Sequence, residues 1–210
     1  MNISNDLSSE SNKGNLELSS NNLPNLIGIS GTFASGKDSL AKILVENYGF
    51  THASTSDMVR AAAQERHGNI ERPTLRKVGV ELRNESGAGV LVERALKLTL
   101  PLVVSGIRTT GEVCLLKKAG GVMVFIDADQ KIRYDRMKAR QRDSESELIF
   151  DEFRSKEQKE VSGAKTDADQ NIAAVREESD LYLENNGTHD EFIASAISRL
   201  VEFKNQNNDK

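Results

Sequence analysis

Residues 26–48 place a short apolar run, LIGIS, directly before a turn with glycine at both ends, and then a stretch with helical spacing. A five-residue apolar run bounded by turn residues suits a buried strand, while Leu40, Ile43, Leu44 and Asn47 recur at i, i+3, i+4 and i+7 as one helix face. A strand that feeds a helix returns to its sheet by a crossover, so the next strand is parallel and helices cover both faces. The rest of the chain repeats the pattern. Residues 50–53 predict a weaker second strand and 57–67 a helix, with Ser54, Thr55 or Ser56 as its cap. Helices are predicted over 74–85 and 90–99, a strand over 102–105, a helix over 110–119 and a strand over 122–127 (VMVFID). A cation-rich helix over 130–142, a charged helical region over 147–161 and a polar stretch to about 174 follow. The last strand is placed at 181–184. The C-terminal helix has Phe192, Ala196 and Leu200 running beside Ile193, Ile197 and Val201.

At 210 residues, with 37% hydrophobic and 29% charged residues, the chain affords one sizeable core and is no polyelectrolyte. No stretch approaches the roughly 20 apolar residues of a bilayer span, and the first residues lack a secretory pattern, so a cytoplasmic location without membrane attachment is expected. Residues 1–22 hold six Asn and six Ser, a composition that suits a disordered tail. Residues 204–210 read as a second tail, leaving one domain over 23–203. Cys114 is the only cysteine, which excludes an intrachain disulfide; it is expected to be a small buried side chain in a helix. The net charge of −4 and the absence of Trp argue against nucleic acid as a partner. A small molecule is expected instead, bound by a monomer or homodimer.

In parallel sheets ligands sit beyond the carboxyl ends of the strands, and the chemistry-bearing residues cluster there. After the first strand comes Gly31-Thr-Phe-Ala34-Ser35-Gly36-Lys37-Asp38-Ser39. Its backbone N–H groups can turn inward around phosphate oxygens, the following helix start adds positive potential, and Lys37 reaches the terminal phosphates. This is a phosphate-binding P-loop; the bland alternative is an ordinary Gly-rich turn. The usual pattern has Ser or Thr directly after the lysine to hold magnesium, so here either Asp38 or Ser39 is the expected ligand.

The second cluster is Ser54-Thr-Ser-Asp57-Met-Val-Arg60, with Asp57 at a helix start and Arg60 on the same face, which alone reads equally as a surface ion pair. Third, Arg108 follows the strand at 102–105, where its planar fork suits a phosphate. Fourth, Arg133, Arg136, Arg140 and Arg142 crowd one helix and its exit. Like charges at i,i+4 repel, so an anion, or Asp135 and Asp143, is expected to compensate them. His52, His67 and His189 are scattered and read as structural or solvated.

Together these segments resemble the nucleoside-monophosphate-kinase group of P-loop phosphotransferases. STSDMVRAA is similar to the acceptor-binding helix of adenylate kinases, SGIRT stands at their Gly-Phe-Pro-Arg-Thr loop, and Arg136-Met-Lys-Ala-Arg140 matches their lid-flanking Arg-x-x-x-Arg. GIRTTGEV, RMKARQRD, FDEFRSKEQKE and DLYLENNGTHDEF resemble archaeal-type nucleotide-kinase-like proteins, themselves similar to dephospho-coenzyme A kinases. The resemblance implies a three-layer α/β P-loop NTPase fold with a mostly parallel five-stranded sheet and a short helical lid.

It implies an ATP- and Mg²⁺-dependent kinase acting on a (deoxy)nucleoside monophosphate. Lys37 and the loop residues Gly31, Ala34, Ser35, Gly36, Asp38 and Ser39 would hold ATP, Asp57, Arg60 and Arg108 the acceptor, and Arg136, Arg140 and Arg142 the transferring group. Ser105 stands where many such kinases have Asp, which leaves metal anchoring to Asp38 and Asp57. A dephospho-coenzyme A kinase, or a nucleotide-dependent switch protein, are the alternatives.

Overall fold

The computed structural model describes residues 20–140, 149–161, 166 and 168–208. Among these, the sheet has five parallel strands: β1 (Leu26–Gly31), β2 (Thr51–Ser54), β3 (Leu102–Ser105), β4 (Val122–Asp127) and β5 (Leu181–Glu184), in the order β2-β3-β1-β4-β5. The register sets Ile27 beside Val103 on one side and Val122 on the other. Reversal of strand order at β1 opens a crevice at its carboxyl end, and β1 is the strand that feeds the Gly-rich turn.

The helices are α1 (Lys37–Tyr48), α2 (Thr55–His67), α3 (Arg72–Ser86), α4 (Val90–Ala95), α5 (Thr110–Lys118), α6 (Gln130–Ala139), α7 (Phe150–Val161), α8 (Ile172–Glu177) and α9 (His189–Asn208). Alternate residues of the central strands serve opposite faces. Ile27, Ile29, Val103, Val124 and Ile126 pack with Leu40 and Leu44 of α1 and Ala196 and Leu200 of α9. Leu26, Val104, Met123 and Phe125 pack with Val113 and Leu116 of α5 and Val175 of α8. Val59, Ala63, Val78 and Leu82 join α2 to α3 in a separate cluster at the sheet edge. A fourth cluster, Ala34, Met137 and Phe153 with Phe33, Tyr134 and Phe150 against it, sets α6 and α7 on the turn after β1.

Three expectations are corrected. Cys114 is exposed: Val113 and Leu116 take the buried face of α5, and residue 114 lies about 100° away from Val113 around the helix. Residues 204–208 belong to α9, and Lys204 Nζ donates to the carbonyls of Asn21 and Leu23 at 2.6 and 2.8 Å. That contact ties down a single 3-10 turn at Ser20–Asn22, the end of the stretch read as tail; residues 1–19 lie outside the described part. The helix expected over 90–99 stops at Ala95, because Leu98 and Leu100 are exposed and extend no apolar face. The short α8, inside the stretch read as polar, is held by the Asn171 cap and two buried residues, Ile172 and Val175.

Candidate active site at the sheet's carboxyl edge

The turn from β1 to α1 has the shape that its glycines permit. Gly31 has φ +143°, and a Cβ there would stand 2.0 Å from the Ile126 carbonyl oxygen; Gly36 has φ +106°, and its Cβ would meet Asn185 Nδ2 at 2.3 Å. Neither position accepts a side chain. Ala34, also left-handed at φ 58°, is buried against Met137 and Phe153. Thr32 N donates to Ile126 O at 3.2 Å, and its hydroxyl donates to Asp127 Oδ1 at 2.6 Å, which pins the start of the turn to β4.

Lys37 opens α1 and folds back over the turn, donating from Nζ to the carbonyl oxygens of Gly31, at 3.0 Å, and Thr32. Burial, aided by the nearby Arg108, Arg140 and Arg133 cations and opposed by Asp38, lowers its pKa to about 7. Ser35 is fully buried, and its Oγ is the one buried side-chain oxygen or nitrogen among the described residues without a protein partner. An electron-poor cradle, an orphaned hydroxyl and a lysine whose ammonium is disfavoured all fit a bound polyanion.

The cradle opens into a cleft of about 540 Å³ that Arg60, Arg108 and Arg140 also line. Cations there (Lys37, Lys42 and these arginines) face the carboxylates of Asp38, Glu46 and Asp57. Asp57, in the first turn of α2, is exposed and accepts from Arg60 NH1 at 2.7 Å, and the helix is capped by Ser54 Oγ.

Arg108 is set by its loop. Its N–H and that of Thr109 donate to Glu112 Oε2 at 2.8 and 3.2 Å, and its NH1 donates to Gln170 Oε1 at 3.2 Å. The other oxygen of Glu112 accepts from Arg83 Nε and NH2 at 3.0 and 2.8 Å, an ion pair whose residues are 0% and 3% exposed. One carboxylate therefore fixes the Arg108 loop to α3 and caps α5, and the Thr109–Glu112 capping box completes the joint.

The arginines of α6 do not act as one patch. Arg140, at the end of α6, reaches the cleft. Arg136 turns away from it, donating to the Asn185 carbonyl at 2.8 Å, Asn185 Oδ1 at 3.1 Å and the Gly187 carbonyl at 3.3 Å. The structure thus separates Arg136 from Arg140, which the resemblance sets together on the transferring group. Its compensation is a set of carbonyl dipoles, and burial beside Arg140 holds the guanidinium below its ordinary pKa.

Arg133 is buried and bridges to Glu157 of α7, donating also to Ala128 O at 2.8 Å and Phe33 O at 3.4 Å. Asp135 pairs with Lys131, so it compensates neither arginine. Arg142 and Asp143 lie outside the described residues. For a metal, Asp38 lines the cleft and Ser39 does not, and one carboxylate with phosphate oxygens and water suits Mg²⁺. No cluster of three or more His, Cys, Asp or Glu side chains with metal-site geometry occurs among the described residues.

The sequence reading missed three participants. His52 lines the cleft, its Nε2 within 2.8 Å of Ser105 Oγ; a lone histidine on a weak strand carries no pattern that would find it. Glu112 and Asn185 act through loops, and only the Thr-x-x-Glu of a capping box signalled the first.

The AAA domain family matches residues 27–161. This chain belongs to that family. Among relatives, the UPF0200 protein TK1334 of Thermococcus kodakarensis is 26% identical over 188 residues, 84% of this chain and 96% of its own. A UPF0200 protein of Thermococcus gammatolerans is likewise 26% identical, over 84% and 94%. Solved structures share the fold of this AAA domain protein. Shikimate kinase from Bacteroides thetaiotaomicron matches with TM-score 0.57 and 13% identity over 85% of this chain and 97% of its own. A gluconokinase from Sinorhizobium meliloti gives 0.54 and 16% over 88% and 98%. The α/β P-loop kinase-like fold read from the sequence is borne out.

Proposed function

We propose that this AAA domain protein is an ATP-dependent small-molecule kinase that moves the γ-phosphoryl group of ATP to a nucleotide-like acceptor, a nucleoside or deoxynucleoside monophosphate. The observation that carries the reading is the shared cleft: the P-loop and Lys37 open onto the same space as Arg60, Arg108 and Arg140. The kinase names of the solved neighbours agree with phosphotransfer.

In this reading the amides of Ala34, Gly36, Lys37 and Asp38, with the Lys37 ammonium, hold the donor phosphates. Arg60, oriented by Asp57, and Arg108 hold the acceptor phosphate in line with them. The acceptor oxygen forms a bond to the γ-phosphorus as the bond to the β-bridging oxygen breaks, and ADP leaves. Such a transfer depends on alignment and on neutralising charge over the moving group. Arg140 supplies that charge from the lid side, while α6 and α7 shield the turn from water, which would otherwise compete as acceptor. Asp38 would hold Mg²⁺, which would neutralise charge between the β- and γ-phosphates.

The test is isotope transfer from γ-labelled ATP to each common (deoxy)nucleoside monophosphate and to dephospho-coenzyme A. A labelled nucleoside diphosphate is the expected product. Labelled coenzyme A would reassign the acceptor, and free phosphate alone would support a nucleotide-dependent switch instead.

A further inference from the structure

At the end of β5, Asn185 is 5% exposed and all four of its polar atoms are engaged. Its N–H donates to Asp127 O at 2.8 Å, continuing the ladder between β4 and β5. Its carbonyl oxygen accepts from Arg136 NH1 at 2.8 Å, and its side-chain Oδ1 accepts from Arg136 NH2 at 3.1 Å. The side-chain Nδ2 donates to the Ser35 carbonyl at 2.8 Å, inside the P-loop. The amide has only one orientation, because a carbonyl needs the nitrogen and a guanidinium needs the oxygen.

The fit is close on both sides. A Cβ on Gly36 would come within 2.3 Å of Nδ2, so the glycine and the asparagine occupy one space. Arg136 lies one helical turn before Arg140, and Arg140 lines the cleft. An asparagine that merely ended the strand would need only its bond to Asp127. Here the side chain serves two other elements, the phosphate cradle and α6, which pack on each other through Ala34 and Met137.

We infer that Asn185 is a positioning residue: its amide holds the P-loop and α6 in one register, so that affinity for the donor phosphates and the placement of Arg140 depend on the same side chain. The inference rests on the P-loop being the donor site. It goes beyond the kinase reading in assigning a long-range constraint to a residue that touches neither substrate.

The experiment is calorimetric titration of the full chain with MgATP, with thermal melting of each variant as the fold control. Asn185→Asp keeps the shape and the Arg136 contact but sets a second oxygen against the Ser35 carbonyl; Asn185→Ala removes both side-chain bonds, to Ser35 and to Arg136, and keeps only the backbone carbonyl as acceptor for Arg136 NH1. Both are expected to raise the Kd for MgATP tenfold or more at a stoichiometry near one, with the Asp variant melting within a few degrees of the unaltered protein. Adding Arg136→Ala to Asn185→Ala is expected to weaken binding by less than Arg136→Ala does alone, since the side-chain part of the link between the P-loop and α6 is already gone.

A Kd within twofold of the unaltered protein, reduced stoichiometry with unchanged Kd, or failure of both variants to fold would overturn the inference in favour of a purely structural residue. Where Asn185→Ala alone fails to fold, Asn185→Asp decides. Binding of MgATP without transfer to any acceptor refutes the kinase reading and leaves this one standing; no binding by the unaltered protein refutes both.

Discussion

The two halves of the cleft are built differently. On the proposed donor side the cradle is backbone, held by a hydrogen bond from the Thr32 hydroxyl to the Asp127 carboxylate and one from the Asn185 side-chain amide to the Ser35 carbonyl. Across the cleft, the groups proposed to hold the acceptor are charged side chains on separate elements, Arg60 on α2 and Arg108 on the β3–α5 loop, and a buried Arg83–Glu112 pair ties that loop to α3. Backbone amides can be fixed by turn geometry alone, whereas long guanidinium side chains need partners that restrict them. The donor half should thus tolerate loss of a charge, and the acceptor half should not tolerate loss of its buried ion pair.

The largest effect expected from that contrast falls on the acceptor half. Glu112→Ala leaves Arg83 buried and unpaired and frees the N–H groups of Arg108 and Thr109, so a loss of about 3–5 kcal/mol is expected in denaturant unfolding. Equal stability would show that the joint is not structural. Lys37→Met reverses the pattern: transfer falls by about 10²–10³-fold, as when one preorganised donor to a developing charge is removed, yet stability holds or rises because a disfavoured buried cation is gone. A clear drop in melting temperature would contradict this.

Arg108→Ala is expected to raise the acceptor KM by about tenfold to a hundredfold, the scale of a charged hydrogen-bonding partner, while the Kd for MgATP stays within threefold. Equal losses for both substrates would erase the distinction between the halves.

The smallest effect is a titration. Lys37 has a folded pKa of about 7, against 10.5 in the unfolded chain. Between those values the unfolded chain carries the extra proton, so this group makes stability rise with pH from about 7 to about 10.5. A bound triphosphate favours the ammonium, so MgATP binding at pH 8 should take up nearly one proton at Lys37, read by calorimetry in buffers of different ionisation enthalpy. Lys37→Met should abolish that uptake, and unchanged uptake would place the titrating group elsewhere.

What could be read in advance followed the scale of each signal. Strands at 102–105, 122–127 and 181–184 were legible because apolar runs bounded by turn residues have few other uses, and the P-loop because its glycines are forced by close contacts with the Ile126 backbone and the Asn185 side chain. The parallel run of the strands followed from the crossovers, whereas their order, β2-β3-β1-β4-β5, came only with the structure. Direction of side chains did not follow. Arg136 and Arg140 are four residues apart, yet one meets the Asn185 loop and the other the cleft. That split depends on β5 arriving beside α6, a contact 49 residues distant in sequence. Cys114 and the helical residues after 203 failed for a related reason: exposure and terminal order are set by what packs alongside, here Val113 with Leu116 and the turn held by Lys204.

The most direct test is the affinity of a two-headed ligand, two nucleosides joined by a polyphosphate long enough to span both halves. With two phosphate sites in one cleft, it should bind at least a hundredfold more tightly than ATP, and Arg108→Ala should remove that advantage while leaving ATP affinity intact. Binding no tighter than ATP, or an advantage unaffected by Arg108→Ala, would contradict a cleft in which the P-loop and the arginines face each other across a shared reaction.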